Sequence, residues 1–348
     1  MRILAIETSC DETAAAVIEN GSHVVKSIIA TSHEMYEKYG GIVPEVAARA
    51  QMSYIQPVIR EALAPFIIPG VTLRQTIIDT IDAIAVTAGP GLIGSLLVGV
   101  ETAKTIAATT GRPLIPVNHV LAHMYANFVD TNEKVLFPAL SLVVSGGHTE
   151  LYRMNSSSEI VWLGGTLDDA AGEAFDKTAR LLGFGHQGGV AIQEAAARHK
   201  ASGKPPIVKL PKPMLREENI NNFSFSGLKT AIWREWNKLK VQDEAAADAV
   251  AFSVQETITD VLVEKTIRAA EEIGAASVLL SGGVSANLRL REKFLEKLSS
   301  LAIPLLVPPV ALCTDNAAYI GSYAYFRGKP ADWQSVTAVP DLSVEVQS

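Results

Sequence analysis

Two histidines, His119 and His123, stand four residues apart in the stretch Val117–Asn127 (VNHVLAHMYAN), with neither Gly nor Pro between them. On a helix that spacing projects both imidazoles from one face, one turn apart, a geometry able to hold a single metal ion. Neutral imidazole is the commonest nitrogen ligand of Zn, Fe, Ni and Cu. A pair of half-buried helix histidines has the same spacing, so the pair alone leaves the choice open. In the zinc-protease motif H-E-x-x-H a Glu after the first His serves as general base. Val120 stands at that position here, and protease chemistry is unsupported.

Two polar turns offer a second kind of chemistry. Residues 3–7 read as a short buried strand, ETSCDET as a tight turn and residues 13–18 as a returning strand, with Asn20-Gly21 closing onto a third strand over 22–29. The pattern recurs later: an apolar strand over 139–144, the turn SGGHTE, a return over 151–154 and a third strand over 160–163. Each turn supplies backbone N–H groups and hydroxyls, from Thr8, Ser9 and Thr13 in the first and Ser145 and Thr149 in the second. Two such turns facing each other make an anion cradle. A hairpin–turn repeat at the head of each half predicts the two-lobed, actin-like ATPase (ASKHA) α/β fold, with duplicated β-hairpin and β-sheet lobes closing on a nucleotide.

Other candidates bear on nucleotide binding. Gly89, Gly91 and Gly94 match G-x-G-x-x-G between a strand over 82–88 and a helix. A dinucleotide site also needs an acid about 20 residues on, at the end of the next strand. Residues 114–117 form that strand and Asn118-His119 follow it, so the glycines are read as close helix packing. Leu167–Leu182 reads as one helix with Asp169, Glu173 and Asp176 in a single carboxylate stripe. SGGVSANLRLREKF is a Gly-Gly turn opening a helix whose N-terminus suits a phosphate or ribose, with Asn287 in its first turn.

The elements between these motifs are simpler. Residues 35–64 read as helical apart from Gly40-Gly41 and Pro44, with a helix starting at that proline. Four prolines between Pro205 and Pro213 exclude regular structure, a helix resumes in FSFSGLKTAIWREW, and residues 245–273 form one long helix ending at Gly274. Strands follow over 277–281 and, at an edge, 305–307; CTDNAAYIGSYAYF makes a turn and final helix, and the tail beyond Trp333 reads as loosely held. The expected division is an N-terminal lobe over 1–116, a C-terminal lobe over 117–330 with the metal site at the junction, and a tail over 331–348.

With 348 residues, 48% of them hydrophobic and 19% charged, the chain has enough apolar residues for a full core. Its opening apolar run is too short for a signal peptide, and no uncharged stretch is long enough to span a membrane. Cys10 and Cys313 are its only cysteines, which fits a reducing, cytoplasmic setting. Net charge is −7, yet between Arg198 and Lys240 ten basic residues face three acids. A basic surface on an acidic body is one way to meet a phosphate backbone; a solvated charged face is the other reading.

Taken together, ETSCDETAAAV, GGIVPEVAARA, GPGLIGSLLVG, NHVLAH, LVVSGGHTEL, DDAAGEAFDKTARLLG, FSFSGLKTA, LLSGGVSANLRLRE and CTDNAAYIG resemble, in order and over nearly the whole chain, the TsaD (Gcp) family. These are tRNA N6-adenosine threonylcarbamoyltransferases of the bacterial and organellar type. The resemblance implies the actin-like fold and one divalent metal, iron with zinc as the alternative, held by His119, His123 and Asp315. It implies a nucleotide-like donor, threonylcarbamoyl-AMP, in the interlobe cleft, contacted by Val143, Val144, Ser145, Gly146, Gly147, Asp176, Gly189 and Asn287. Asp11 or Glu12 is the expected base or orienter for the adenine amine. The implied reaction forms t6A at adenosine 37 of tRNAs reading codons that begin with adenine, with tRNA phosphates on the basic segment. The implied partners are an inactive actin-fold paralogue (TsaB-like) and a small P-loop ATPase (TsaE-like). An actin-fold ATPase or kinase, or a non-catalytic partner subunit, is the alternative; the intact histidine pair speaks against the latter. Two positions depart from the family pattern: Gln193 stands where an aspartate usually contacts the nucleotide, and Gln51 where a histidine is common.

Overall fold

The computed structural model describes residues 1–32, 35, 42–185, 188–215 and 221–345. Strands β1 (Arg2–Glu7), β2 (Glu12–Glu19), β3 (His23–Thr31), β4 (Ala83–Gly89) and β5 (Leu114–Asn118) form one sheet in the order β3-β2-β1-β4-β5. Strands β6 (Ala139–Val144), β7 (Thr149–Met154), β8 (Ile160–Gly165), β9 (Ser277–Ser281) and β10 (Leu305–Leu306) form a second, in the order β8-β7-β6-β9-β10. The two orders are the same. In each sheet the first three strands run antiparallel as hairpins, and the fourth and fifth join in parallel. The duplication expected from the recurring turns is therefore present in the strand pairing itself. Central strands β4, β6 and β9 are buried along their whole length, as expected of strands covered on both faces.

Ten helices complete the described residues: α1 (Pro44–Ala62), α2 (Leu73–Thr80), α3 (Ile93–Thr110), α4 (His119–His123), α5 (Ala171–Leu181), α6 (Gly188–Ala201), α7 (Ser226–Lys238), α8 (Glu244–Glu272), α9 (Leu288–Leu301) and α10 (Ala317–Phe326). Local chemistry sets their ends. Pro44 opens α1, Gly111 in the left-handed region closes α3, and the Asp243 carboxylate caps α8, which stops before left-handed Gly274. Helix α2 had no counterpart in the sequence reading. Of the reading over 35–64, residues 36–41 lie outside the described residues. Among the described residues no helix is long and apolar enough to cross a membrane.

Helix α5 begins at Ala171, not at Leu167 as expected. The four residues before it have other partners: Leu167 N–H donates to the Phe223 carbonyl, and the Asp168 carboxylate accepts from the Phe225 and Ser226 N–H groups and from the Ser224 and Ser226 hydroxyls. Asp168 thus holds the start of α7, and a helical course there would withdraw it.

Three apolar cores form. One lies between the first sheet and α1 to α3, and one between the second sheet and α5 to α9. The third joins the lobes: Ile3, Ala5 and Ile18 of the first sheet meet Val143, Tyr152 and Leu279 of the second through Met124, Tyr125 and Tyr319. The lobes are accordingly not strictly sequential. Strand β5 runs past residue 116 to Asn118, and α10 packs on β1 and β2, so closely that a Cβ at Gly321 would lie 2.6 Å from Ile18.

The tail, expected to be loosely held, is fastened across both lobes. Ala331 bridges to Leu114, Val336 is buried in the first lobe's core, and Val339 N–H donates to the Ala88 carbonyl. Gly91 N–H donates to the Pro340 carbonyl, Asn118 Nδ2 to the Ser343 carbonyl and the Tyr152 hydroxyl to the Val344 carbonyl. Terminal position suggested a free end; backbone partners on β4 and β5 and side-chain donors on β5 and β7 prevent it.

Candidate metal centre and cleft

Helix α4 carries the histidine pair, and every residue of it is buried. It starts where β5 ends because Asn118 caps it, Oδ1 accepting from the Val120 and Leu121 N–H groups. The rings of His119 and His123 lie edge to face, centroids 4.7 Å apart. Asp315, in the turn before α10, closes the set: its Oδ1 is 3.5 Å from both Nε2 atoms. One ligand atom from each of the three lies within 4.8 Å of the others. Two imidazole nitrogens and one carboxylate oxygen form the facial donor set typical of non-haem iron, and one that also suits zinc. The Tyr319 hydroxyl donates to Asp315 Oδ1 at 3.2 Å.

The electrostatics fit a cation. The triad opens into a cavity of about 440 Å³ whose lining, among the described residues, includes Asp11, Glu12 and Asp315 but neither Lys nor Arg. Burial, then Asp315 and Asp11, pushes Glu12 up to about 10. Burial opposes the charged form of His119, but Asp315 and Glu7 outweigh it and raise that imidazole to about 9. Burial, then His119 and His148, holds His123 well below the ordinary histidine range. Carboxyl groups clustered around one cavity favour a divalent ion at the point where the ligand atoms converge.

Both predicted turns line this cavity, Ser9 to Glu12 from one side and Ser145 to His148 from the other. They are built differently. Gln51, wholly buried on α1, donates from Nε2 to the carbonyls of Cys10 and Glu12 at 3.0 Å each, fixing the acid-bearing turn. The second turn is closed by its own bonds, Ser145 N–H to the His148 carbonyl and His148 N–H to Ser145 Oγ. Gly146 and Gly147 have no atom of the described residues within 4 Å of where a Cβ would sit. Of the hydroxyls expected in the cradle, Ser9 and Ser145 reach the cavity, whereas Thr8, Thr13 and Thr149 are buried. Thr149 Oγ1 instead accepts from Ala171 N–H and holds the start of α5.

The remaining expected contacts sit beside the second turn, outside the lining of this cavity. Val143 and Val144 are wholly buried, one in each of two cores, and lead into the turn. The carboxylate stripe is divided: Asp169 and Glu173 both clamp Lys177, leaving Asp176 near the start of α6. A Cβ on Gly188 would fall 2.5 Å from Asp176 Cα, while Gly189 faces open space. Asn287 is the cap of α9 and not a residue of its first turn, Oδ1 accepting from Leu290 N–H while Nδ2 donates to Gln255 Oε1. Gln193 Oε1 accepts from Leu288 N–H at 2.7 Å, so α6 reaches across to the same helix end. Gly172 joins the two groups, its N–H donating to the Ser145 carbonyl.

The glycines of the rejected dinucleotide motif serve three contacts. Gly94 approaches Ala48 of α1, the helix packing expected, whereas Gly89 and Gly91 approach the backbone at Val339 and Ser9.

The chain matches the family described as TsaD, tRNA N6-adenosine threonylcarbamoyltransferase, over residues 23–322. A relative of that description from Symbiobacterium thermophilum is 46% identical over 99% of this chain and 97% of its own, and one from Geobacillus thermodenitrificans is 45% identical over 95% and 93%. The chain belongs to the TsaD family.

Solved structures reinforce the fold alone. HypF from T. kodakarensis superposes with a TM-score of 0.61 at 15% identity over 93% of this chain and 47% of its own. Component A of the Acidaminococcus fermentans (R)-2-hydroxyglutaryl-CoA dehydratase does so with 0.52 at 12% identity over 94% and 96%. The two-lobed, actin-like ATPase fold is thus established, and with the TsaD family comes the class of acyltransferase.

Sequence reasoning missed three residues of this TsaD site. His148 lines the cavity, and burial, then His119, lowers its imidazole to about 4. Tyr319 braces Asp315. Glu7, at the end of β1, is buried against His119. Each stands inside or beside a quoted motif, so its position was visible although its partner, distant in sequence, was not.

Proposed function

We propose that the protein transfers the threonylcarbamoyl group from threonylcarbamoyl-AMP to N6 of adenosine 37 in tRNAs that read codons beginning with adenine. The observation that carries the reading is the convergence of His119, His123 and Asp315 on one point in a cavity walled by both duplicated turns. The N6 lone pair is delocalised into the purine ring, so the amine attacks only a strongly activated carbonyl. In the mixed anhydride the new N–C bond forms as the C–O bond to phosphate breaks, AMP leaves with the bonding pair, and N6 loses a proton. Such a reaction needs positioning and charge stabilisation more than a covalent nucleophile.

His119, His123 and Asp315 would hold the ion, iron in our reading with zinc the alternative; when bound, it supplies Lewis acidity toward a donor oxygen. The Ser145–Gly147 turn presents backbone N–H groups to the donor's phosphate or carbonyl. Asp176, Gly189 and Asn287 orient the nucleotide, with Val143 and Val144 fixing the turn from behind. Asp11 or Glu12, in the turn held by Gln51, faces the incoming amine as the base or orienter.

The tRNA would lie on the segment 198–240. Arg198 pairs with Asp248, Lys212 with Asp260 and Glu264, and Lys238 with Glu235, while Arg216 lies outside the described residues. Lys200, Lys204, Lys209, Lys229, Arg234 and Lys240 are exposed and form no ion pair among the described residues, and Trp233 is exposed among them. Met52 on α1 and Ile93 and Leu97 on the adjoining α3 are exposed apolar residues, which suits the inactive paralogue; a P-loop ATPase partner and a cytoplasmic setting complete the reading. The test is mass analysis of tRNA nucleosides after incubation with donor, tRNA and partner proteins. Wild-type protein should yield threonylcarbamoyladenosine, and an H119A/H123A variant should lose both metal and product. Full product from metal-free variant would refute the assignment.

A further inference from the structure

Glu7 is a carboxylate with 1% of its side chain exposed, and it lies outside the ligand set. Its Oε1 accepts from Ser9 N–H at 2.5 Å; its Oε2 is 3.1 Å from His119 Nδ1 and also accepts from the Thr87 hydroxyl. It therefore joins β1, β4, the acid-bearing turn and the metal helix at one point. The Nδ1 atom of His123, by contrast, is buried without a hydrogen-bond partner among the described residues. The two ligand imidazoles are thus not equivalent.

An ionised carboxylate only accepts hydrogen bonds, so a ring nitrogen facing it must carry the proton. With Nδ1 protonated, the lone pair of neutral His119 lies on Nε2, the atom directed at Asp315 and the ligand point. Ser9 Oγ, 3.3 Å from the same Nδ1, can rotate to accept and adds no contrary demand. Carboxylate–histidine pairs of this kind fix ring orientation and raise ligand basicity at metal sites. We propose that Glu7 is a positioning residue that locks His119 as the Nδ1–H tautomer and makes it the anchoring ligand, leaving His123 the more loosely defined of the pair.

The inference rests on the reading of the triad as a metal site, and the test separates the two. Nitrogen NMR of imidazole-labelled, metal-stripped wild-type protein, followed over pH until the spectrum itself shows His119 neutral, should show it as Nδ1–H. That tautomer is the less common one for a free imidazole, and finding Nε2–H would overturn the proposal whether or not a metal ever binds. Cobalt titrations followed by calorimetry and visible absorption form the second arm. Glu7→Gln places an amide NH₂ against either His119 or Ser9, and should weaken Co2+ binding about 10- to 100-fold with an altered spectrum. Thr87→Val removes a competing donor from Oε2 and should leave binding at or above the wild-type level. A folded Glu7→Gln protein with wild-type affinity and spectrum would sink the idea, as would Thr87→Val and Glu7→Gln losing affinity in parallel. Failure of wild-type protein to bind Co2+, with the Nδ1–H tautomer intact, would count against the metal reading and not against the Glu7–His119 lock.

Discussion

The two turns that close on the cavity grow from sheets with the same strand order, yet they present opposite chemistry. The first offers Asp11 and Glu12 and is pinned from behind by Gln51 and Glu7. The second offers Gly146 and Gly147, with open space where their side chains would be. One turn lines the cavity with carboxyl groups, the other with glycines. Duplication supplied a common frame, and in the proposed reaction the tips divide the work between handling a proton beside a cation and receiving an anion.

That division is open to attack. The largest effect is expected from Asp11→Asn, which should lower kcat about 10²-fold or more while leaving metal content unchanged, as measured by steady-state transfer and elemental analysis. Gly146→Val should act on binding instead: its side chain enters open space, so the protein folds, and KM for the donor should rise about 10-fold with kcat little altered. A kcat loss for both variants would erase the distinction between the turns. Gln51→Leu keeps the bulk on α1 but leaves the Cys10 and Glu12 carbonyls without their donor, and urea unfolding should show a loss of about 1–3 kcal/mol.

The smallest effect concerns a second buried glutamate. Burial raises Glu150 to about 7, against the hydrogen bond it accepts from Trp162 Nε1 and with a further push from Glu345. A carboxyl whose folded value exceeds its unfolded value of 4.5 favours the folded state while protonated in it, so this contribution is lost as pH rises from about 4.5 to about 7. Glu150→Gln should flatten that part of the stability profile and melt higher than wild type at pH 8, with little difference at pH 4. A wild-type slope retained in the variant would remove Glu150 as its source.

Much of this was legible in the chain. Helical spacing put His119 and His123 together, the repeated hairpins gave the lobes, and Pro44 and Gly274 marked helix ends. The pairing of those histidines with Asp315 came from family resemblance, because nothing local to residue 315 points across some two hundred positions. Leu167–Ala170 read as helix because their demand, Asp168 holding the start of α7, lies more than fifty residues away. Gln51 looked like a simple departure until its two carbonyl partners came into view.

The fastened tail has a consequence for how the molecule is made. Asn118, which caps the helix of the histidine pair, receives its contact with the Ser343 carbonyl from a residue 225 positions further along the chain. Domains tend to fold as the N-terminal part emerges, so both sheets can assemble on the ribosome while this final tie is still missing. Completion of the junction, and with it full order around the histidines, waits for this segment to dock; a stop codon ahead of Val339 would leave a translated protein with an unfinished seam.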